Sequence, residues 1–276
     1  MKTICETLKV SRSNVCEQLQ PRVVKRRGRR AQPSSGVLEE IRDVLKEMPT
    51  YGYRRVHAIV RKRFISRGLP PPNHKRVYRL MKVSGLLLAR HTGVDTRQHD
   101  GKVAVETRNT RWCSDGFEIP CDNGERVRVA FSLDCCDREA ISWVATTGGI
   151  TSEDVQDLAV QSMEQRFGKT SSVPVTIEWL TDNGSCYVAR DSRAFVRLLG
   201  FEPRRTPIQS PQSNGMAEAF VKTFKRDYAS VGRRDDPAVV LSQLPKWFEH
   251  YNEVHPHKAL RYRSPREFIR DLNNKP

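Results

Sequence analysis

Three carboxylates and two lysines in this chain have the types and spacing to act on a phosphate ester. They are Asp115, Asp182 and Glu218, with Lys222 and Lys225 following the last of them. Glu218, Lys222 and Lys225 recur at i, i+4 and i+7, so on a helix they share one face. The stretch 210–215 before that helix, SPQSNG, is a polar loop by composition. Met216, Phe220, Val221 and Phe224 form the opposite, apolar side. Alone, this is an ordinary amphipathic helix with a solvated charged face. Glu218 acquires a chemical reading only if the fold brings Asp115 and Asp182 to it. Three carboxylates forced together repel, and each resists ionisation. A divalent cation removes that penalty, and all-oxygen ligands suit Mg²⁺ or Mn²⁺. Two such ions side by side clamp the attacking and leaving oxygens of an in-line phosphoryl displacement.

The elements that must position these groups can be read in chain order. Residues 111–119 form a strand carrying Asp115, an Asn-Gly turn falls at 122–125, and alternating strands follow at 126–133 and 140–146. Thr151 and Asp154 form a capping box for a helix whose core stripe is Val155, Leu158, Ala159, Ser162, Met163 and Phe167. The near-continuous apolar run 175–181 is a central parallel strand, and Asp182 stands at its end. A helix at 192–199 and a strand at 201–206 lead into the loop before Glu218. Three meander strands followed by αβαβα give an α/β layer with a mixed five-stranded sheet. A ribonuclease-H-like fold has this order. In that fold the first and fourth strands are central neighbours, which sets Asp115 beside Asp182, and the Glu218 helix packs across them. Asp134 also ends a strand, with Asp137 and Glu118 near it, and it is the rival to Asp115. The Trp-x-x-Asp pattern and strand order favour Asp115, and the choice stays open on sequence alone.

The rest of the chain supplies a polyanion partner. The formal net charge is +16, and it is unevenly placed. Residues 1–110 hold 25 Lys and Arg against 9 Asp and Glu, whereas residues 111–276 hold 23 of each sign. Such a basic end attracts nucleic acid in a salt-dependent way. Residues 1–20 read as a partial helix-turn-helix, capped by Ser11 or Ser13 and too short to fold alone. Residues 21–36 are a basic linker with six cations in nine residues at 22–30; Arg26 and Arg27 lie in it as expected phosphate contacts. Residues 37–90 read as a helical DNA-binding module. Its third helix, capped by Asn73, presents Lys75, Arg79 and Lys82 opposite Val77, Leu80 and Met81. Residues 91–110 are an aperiodic tether, and 111–276 hold the catalytic core with a helical tail. Seven cysteines without a CxxC pair argue against zinc and a disulfide framework, which fits a reduced cytoplasmic protein; no stretch is long and apolar enough to cross a membrane. His250, His255 and His257 have no cysteine beside them and read as packing and phosphate contacts.

Four blocks carry a resemblance. WCSD at 112–115, TDNGS at 181–185, SPQSNGMAEAFVKTFK at 210–225 and Tyr251-Asn252 with HPHKALRYRSPREF at 255–268 resemble the retroviral-integrase-like transposases of bacterial insertion sequences. The 35 residues between Asp182 and Glu218 match the D,D(35)E spacing of that superfamily. His255 departs from it, since the family more often has Arg there. The resemblance implies that Asp115, Asp182 and Glu218 ligate two Mg²⁺ or Mn²⁺ ions. It also implies that Lys222 and Lys225 grip double-stranded DNA near the scissile phosphate, and that Asn214 and Gly215 let the preceding loop move. The implied reaction is cleavage at element ends followed by strand transfer to target DNA through a 3′-OH. It implies too a homo-oligomer on DNA, a nucleoid location, and an end-binding protein from an upstream reading frame. The alternatives are a non-catalytic DNA-binding regulator and a nuclease of the same fold.

Overall fold

The computed structural model describes residues 2–19, 35–89, 103–205 and 215–274. It divides into two compact units, Met1–Ser35 and Gly36–Pro276. In the first, α1 (Lys2–Thr7) and α2 (Arg12–Leu19) are short helices. The Ser11 hydroxyl caps α2 by accepting from the Asn14 N–H at 3.2 Å. Ile4, Leu8 and Leu19 stay exposed, so this pair encloses almost no core of its own.

The second unit is built on a five-stranded sheet in the order β3-β2-β1-β4-β5. Its strands are β1 (Arg111–Pro120), β2 (Arg126–Asp134), β3 (Ala140–Thr146), β4 (Ile177–Thr181) and β5 (Phe201–Arg205). β1, β2 and β3 form an antiparallel meander, while β4 runs parallel to both β1 and β5. This is the mixed ribonuclease-H-like sheet that the sequence order implies. The strand pleat, with its period of two, separates two cores. Trp112, Ala130, Ile177, Trp179 and Phe201 face α6 (Ser152–Phe167) and α8 (Arg190–Leu198). Cys113, Phe117, Ile119, Val129, Phe131 and Leu180 face the other way, onto α9 (Gly215–Phe224) and α10 (Pro237–Glu253). Aromatic rings bind α9 to that face: Phe220 lies 4.3 Å from Phe131 and Phe224 lies 5.4 Å from Phe117, centroid to centroid. Thr151 and Asp154 form the expected capping box of α6. A single turn, α7 (Ser185–Val188), intervenes before α8 and was not evident in the sequence.

The module at 37–90 is three helices, α3 (Ser35–Glu47), α4 (Tyr53–Ser66) and α5 (His74–Val83). The Asn73 side chain caps α5, accepting from the Lys75 N–H at 2.9 Å. Val37, Ile41, Val44, Val56, Val60, Val77 and Met81 from these helices join the same apolar core as Phe117, Phe131, Phe220 and Phe248. The segments 37–90 and 111–276 therefore fall in one compact unit, with their buried apolar residues joined in a single cluster. The tail closes the far edge of the sheet. The Asn252 amide accepts from Ala140 N–H and donates to Ala140 C=O, both at 2.9 Å, and so extends the β3 ladder. α11 (Pro265–Asn273) follows, with a capping box from Ser264 to Glu267.

Candidate active site

The pairing of β1 with β4 ends where Ser114 stands opposite Thr181. Asp115 and Asp182 are the next residues on the two chains, so they leave the sheet side by side. Cys113 and Phe117, like Leu180, point into the α9-side core, and alternation sends Asp115 and Asp182 the same way. Glu218 sits in the first turn of α9, near enough for its charge to act on Asp115. Asp115 Oδ1 accepts from Gly116 N–H at 2.8 Å, and Asp182 Oδ1 accepts from Gly184 N–H at 3.0 Å. Neither Oδ2 is hydrogen-bonded among the described residues. A Cβ on Gly184 would lie 3.1 Å from Asp182 Oδ1, so this glycine lets the turn close beneath the carboxylate. Behind the pair, Ser114 Oγ donates to the buried Tyr187 hydroxyl at 3.0 Å, tying β1 to α7.

The three carboxylates interact through space. Burial pushes the Asp115 carboxyl up to about 6; the Gly116 N–H opposes this, and the charges of Asp182 and Glu218 raise it further. Lys225 draws it back down, so that ammonium is also part of the site's field. Lys222 Nζ stands 3.6 Å from Glu218 Oε2, and both lysines are exposed. Among the described residues no three His, Cys, Asp or Glu side chains converge tightly enough to hold a metal ion. The donor chemistry nevertheless fits a hard divalent cation: oxygen ligands only, with excess negative charge and a destabilised carboxylate.

That destabilisation has a testable sign. A carboxyl raised from 3.8 to about 6 binds its proton more tightly folded than unfolded, so its contribution to stability falls between those values and stays lost above pH 6. Asp115→Asn is expected to raise the thermal midpoint at pH 8 without metal and to change it little at pH 4. Millimolar Mg²⁺ should stabilise the parent protein more than the variant. Equal midpoints at pH 8, or equal Mg²⁺ stabilisation, would contradict this picture of the site.

Asp134 is held elsewhere. It pairs with Trp112, three residues before Asp115 and toward the other end of β1. Fully buried, it accepts from Asn109 N–H, Cys136 N–H and Trp112 Nε1–H, and it pairs with Arg166 at 3.3 Å. Arg166 also holds Asp137 and Glu139. Glu118 is bound to Arg126 and Arg128. Each rival carboxylate thus has cationic partners of its own.

The expected DNA-contact residues divide into three sets. Lys75, Arg79 and Lys82 are exposed along α5, opposite buried Val77 and Met81. Lys222 and Lys225 stand at the carboxylates, with Lys225 6.0 Å from the Phe117 ring. Arg26, Arg27 and Asn214 lie outside the described residues. His255 is not the phosphate contact expected of it: fully buried, it cannot meet a phosphate. Its Nδ1 lies 2.8 Å from the Tyr51 hydroxyl, and burial holds its pKa well below the usual imidazole range. Local pattern also missed a π-helical turn, Lys225–Ala229, that continues α9 and turns Asp227 into the protein.

A ribonuclease-H-like sheet with acids at two adjoining central strands and a third on a crossing helix is the arrangement of an integrase-type polynucleotidyl transferase. Models of the integrase core domain match residues 106–211 and 199–265, and an HTH-like domain model matches 35–92. Transposase InsD of insertion element IS2A/D/F/H/I/K from Escherichia coli is 55% identical over 248 residues, covering 88% of this chain and 82% of the relative. The InsD transposase of IS2-9 from Escherichia coli strain K12 is equally similar, with 80% of its length covered. A simian T-cell lymphotropic virus intasome chain, solved in complex with PP2A regulatory subunit B56 gamma, shares the fold. Its TM-score is 0.50 at 15% identity, over 86% of this chain and 75% of that one. This chain belongs to the insertion-element transposases with an integrase core, enzymes of the DDE class that act on DNA. None of its described helices is long and apolar enough to cross a membrane.

Proposed function

We propose that Asp115, Asp182 and Glu218 are the catalytic carboxylates of this transposase and that together they hold Mg²⁺ or Mn²⁺, as two ions. The observation that carries this is the register of β1 against β4, which sets Asp115 beside Asp182 with Glu218 close enough for its charge to act on the partly buried Asp115 carboxyl. When bound, the ions would neutralise charge on a phosphodiester under attack. The chain's own residues do the positioning. β1 and β4 fix two carboxylates by backbone register, and α9 carries the third on a helix anchored by Phe220 and Phe224. Lys222 and Lys225 offer ammonium groups to the DNA backbone beside them. In the first step water displaces the 3′-oxygen at an element end, leaving a free 3′-OH. In the second that hydroxyl attacks a target phosphodiester and displaces the target's own 3′-oxygen. One ester forms for each ester broken in transfer, so no nucleotide hydrolysis is required.

Lys75, Arg79 and Lys82 on α5, with Arg26 and Arg27, are proposed to contact duplex DNA. Joining two ends to one target calls for more than one active site, which supports a homo-oligomer on DNA. The exposed Ile4, Leu8 and Leu19 suit an additional partner segment such as an upstream-frame protein. The deciding assay supplies a labelled element end, target duplex and Mg²⁺. Joined products are expected. Released ends without joining would make the chain a nuclease, and binding without Mg²⁺-dependent scission would make it a regulator.

A further inference from the structure

A cleft of about 340 Å³ lies between α4 and the tail segment that precedes α11. Arg54, His57, Arg61, Lys62 and His74 line one side, and Arg261, Tyr262 and Arg263 the other, with no acidic side chain in the lining. Lys62 is paired with Glu267, which ties α4 to the tail, and Arg263 is paired with Asp271 within the tail, so both are already committed. Arg54, Arg61 and Arg261 are exposed and have no acidic partner among the described residues. Arg54, His57 and Arg61 fall at i, i+3 and i+7, one face of α4, which explains how they converge. Burial lowers the His57 pKa, the Pro72 carbonyl opposes this, and the neighbouring charges of His74 and Arg61 lower it again.

The opposite wall adds an independent observation. Arg261 and Tyr262 are both left-handed, at φ 56° and 63°. Two successive non-glycine residues there are strained, and glycine would relieve it. The turn is nonetheless firmly made: Tyr262 N–H donates to His257 C=O at 2.7 Å, and His257 and Arg263 form a β-bridge. Glycine would be cheaper at both positions but would delete two of the side chains that face α4. The strain is retained where it presents a guanidinium and a phenol to a cationic cleft.

We propose that this cleft is a phosphate-binding site for duplex DNA, a second grip apart from the carboxylates and from the exposed face of α5. Guanidinium forks match phosphate oxygens bidentately, and three on facing walls without an acidic partner among the described residues suit a polyanion better than a single carboxylate ligand. The proposal rests on the reading of this chain as a DNA transposase, but not on which residues are catalytic.

The test uses the full chain and a fluorescent duplex of arbitrary sequence, with Mg²⁺ omitted and KCl varied. The triple variant R54Q/R61Q/R261Q should lower the slope of log K against log salt by about 3, and weaken binding roughly tenfold per lost contact near 0.1 M salt. A control triple on the opposite sheet face, K169Q/R190Q/R197Q, removes the same charge from exposed positions and should leave the slope within about one unit. Arg261→Gly should keep or raise the thermal midpoint while lowering the slope by about 1, which separates binding from folding. An unchanged slope in the cleft variant, or an equal loss in the control triple, would overturn the proposal. Because no chemistry is assayed, a wrong assignment of the catalytic carboxylates would leave these results intact and would show instead as cleavage surviving Asp182→Asn.

Discussion

Asp182→Asn is expected to abolish Mg²⁺-dependent end cleavage and strand transfer while leaving DNA affinity within about twofold of the parent protein. Loss of a partner outside the first ring of metal ligands typically costs 10–100-fold, so loss of a direct ligand should exceed about 100-fold in rate. The amide keeps the shape of the side chain and can still accept the Gly184 N–H, so the turn beneath it survives. It also removes one of three mutually repelling charges, which favours the metal-free fold. A folded, DNA-binding, inactive protein is the predicted combination. Asp134→Asn should behave oppositely, since it takes a charge from Arg166 in a buried network and should lower stability before it lowers rate per folded molecule. Circular dichroism melts beside a strand-transfer gel separate the two. Cleavage by Asp182→Asn at even a tenth of the parent rate would remove Asp182 from the site.

The parts of this protein written as local pattern were legible in its sequence. Strand alternation at 126–133, the Asn-Gly turn and the Thr151 capping box each act within a few residues, and together they gave the strand order. Given that order, Asp115 and Asp182 had to be neighbours. Asp134 could not be dismissed from sequence, because its partner Arg166 lies 32 residues away on another element. The separate helical module also looked complete on paper: α3, α4 and α5 each show an apolar stripe, but a stripe does not say what covers it. Here part of the cover is the catalytic core itself. The cleft was half visible, since Arg54, His57 and Arg61 repeat at helical spacing on α4. Its other wall depends on Arg261, which folding brings in from 200 residues downstream, in a conformation no propensity favours. The π-helical turn left no local signal either. Its Lys-Arg-Asp sequence looks solvent-facing, yet Asp227 is buried.

That aspartate is a sensitive polar position, and Asp227→Ala is expected to cost about 3 kcal/mol. Asp227 accepts from Thr50 Oγ1 at 2.6 Å and pairs with Arg55 at 2.9 Å, joining the turn after α9 to the start of α4. Arg226 Nε–H and one of its terminal N–H groups donate to the two carboxylate oxygens, both at 2.7 Å. Removing one member of a buried ion pair typically costs about 3–5 kcal/mol, because the remaining charge stays desolvated. The lower end applies here, since Arg55 and Arg226 keep 25% and 50% of their side-chain surface exposed and can recover some hydration. Asp227→Asn should fall between parent and alanine variant, keeping acceptor geometry on one oxygen without the charge. Urea unfolding gives the measurement: the midpoint should drop with little change in slope, as for loss of stability without a change in the surface exposed. The helix carrying Glu218, Lys222 and Lys225 runs directly into the turn that Asp227 locks to the helical module. Loosening that lock should lower strand-transfer rate per folded molecule as well as stability, whereas Asp182→Asn lowers rate alone. A destabilisation below about 1 kcal/mol would mean that Arg226 and Thr50 re-solvate freely and that the buried carboxylate does not join the two parts.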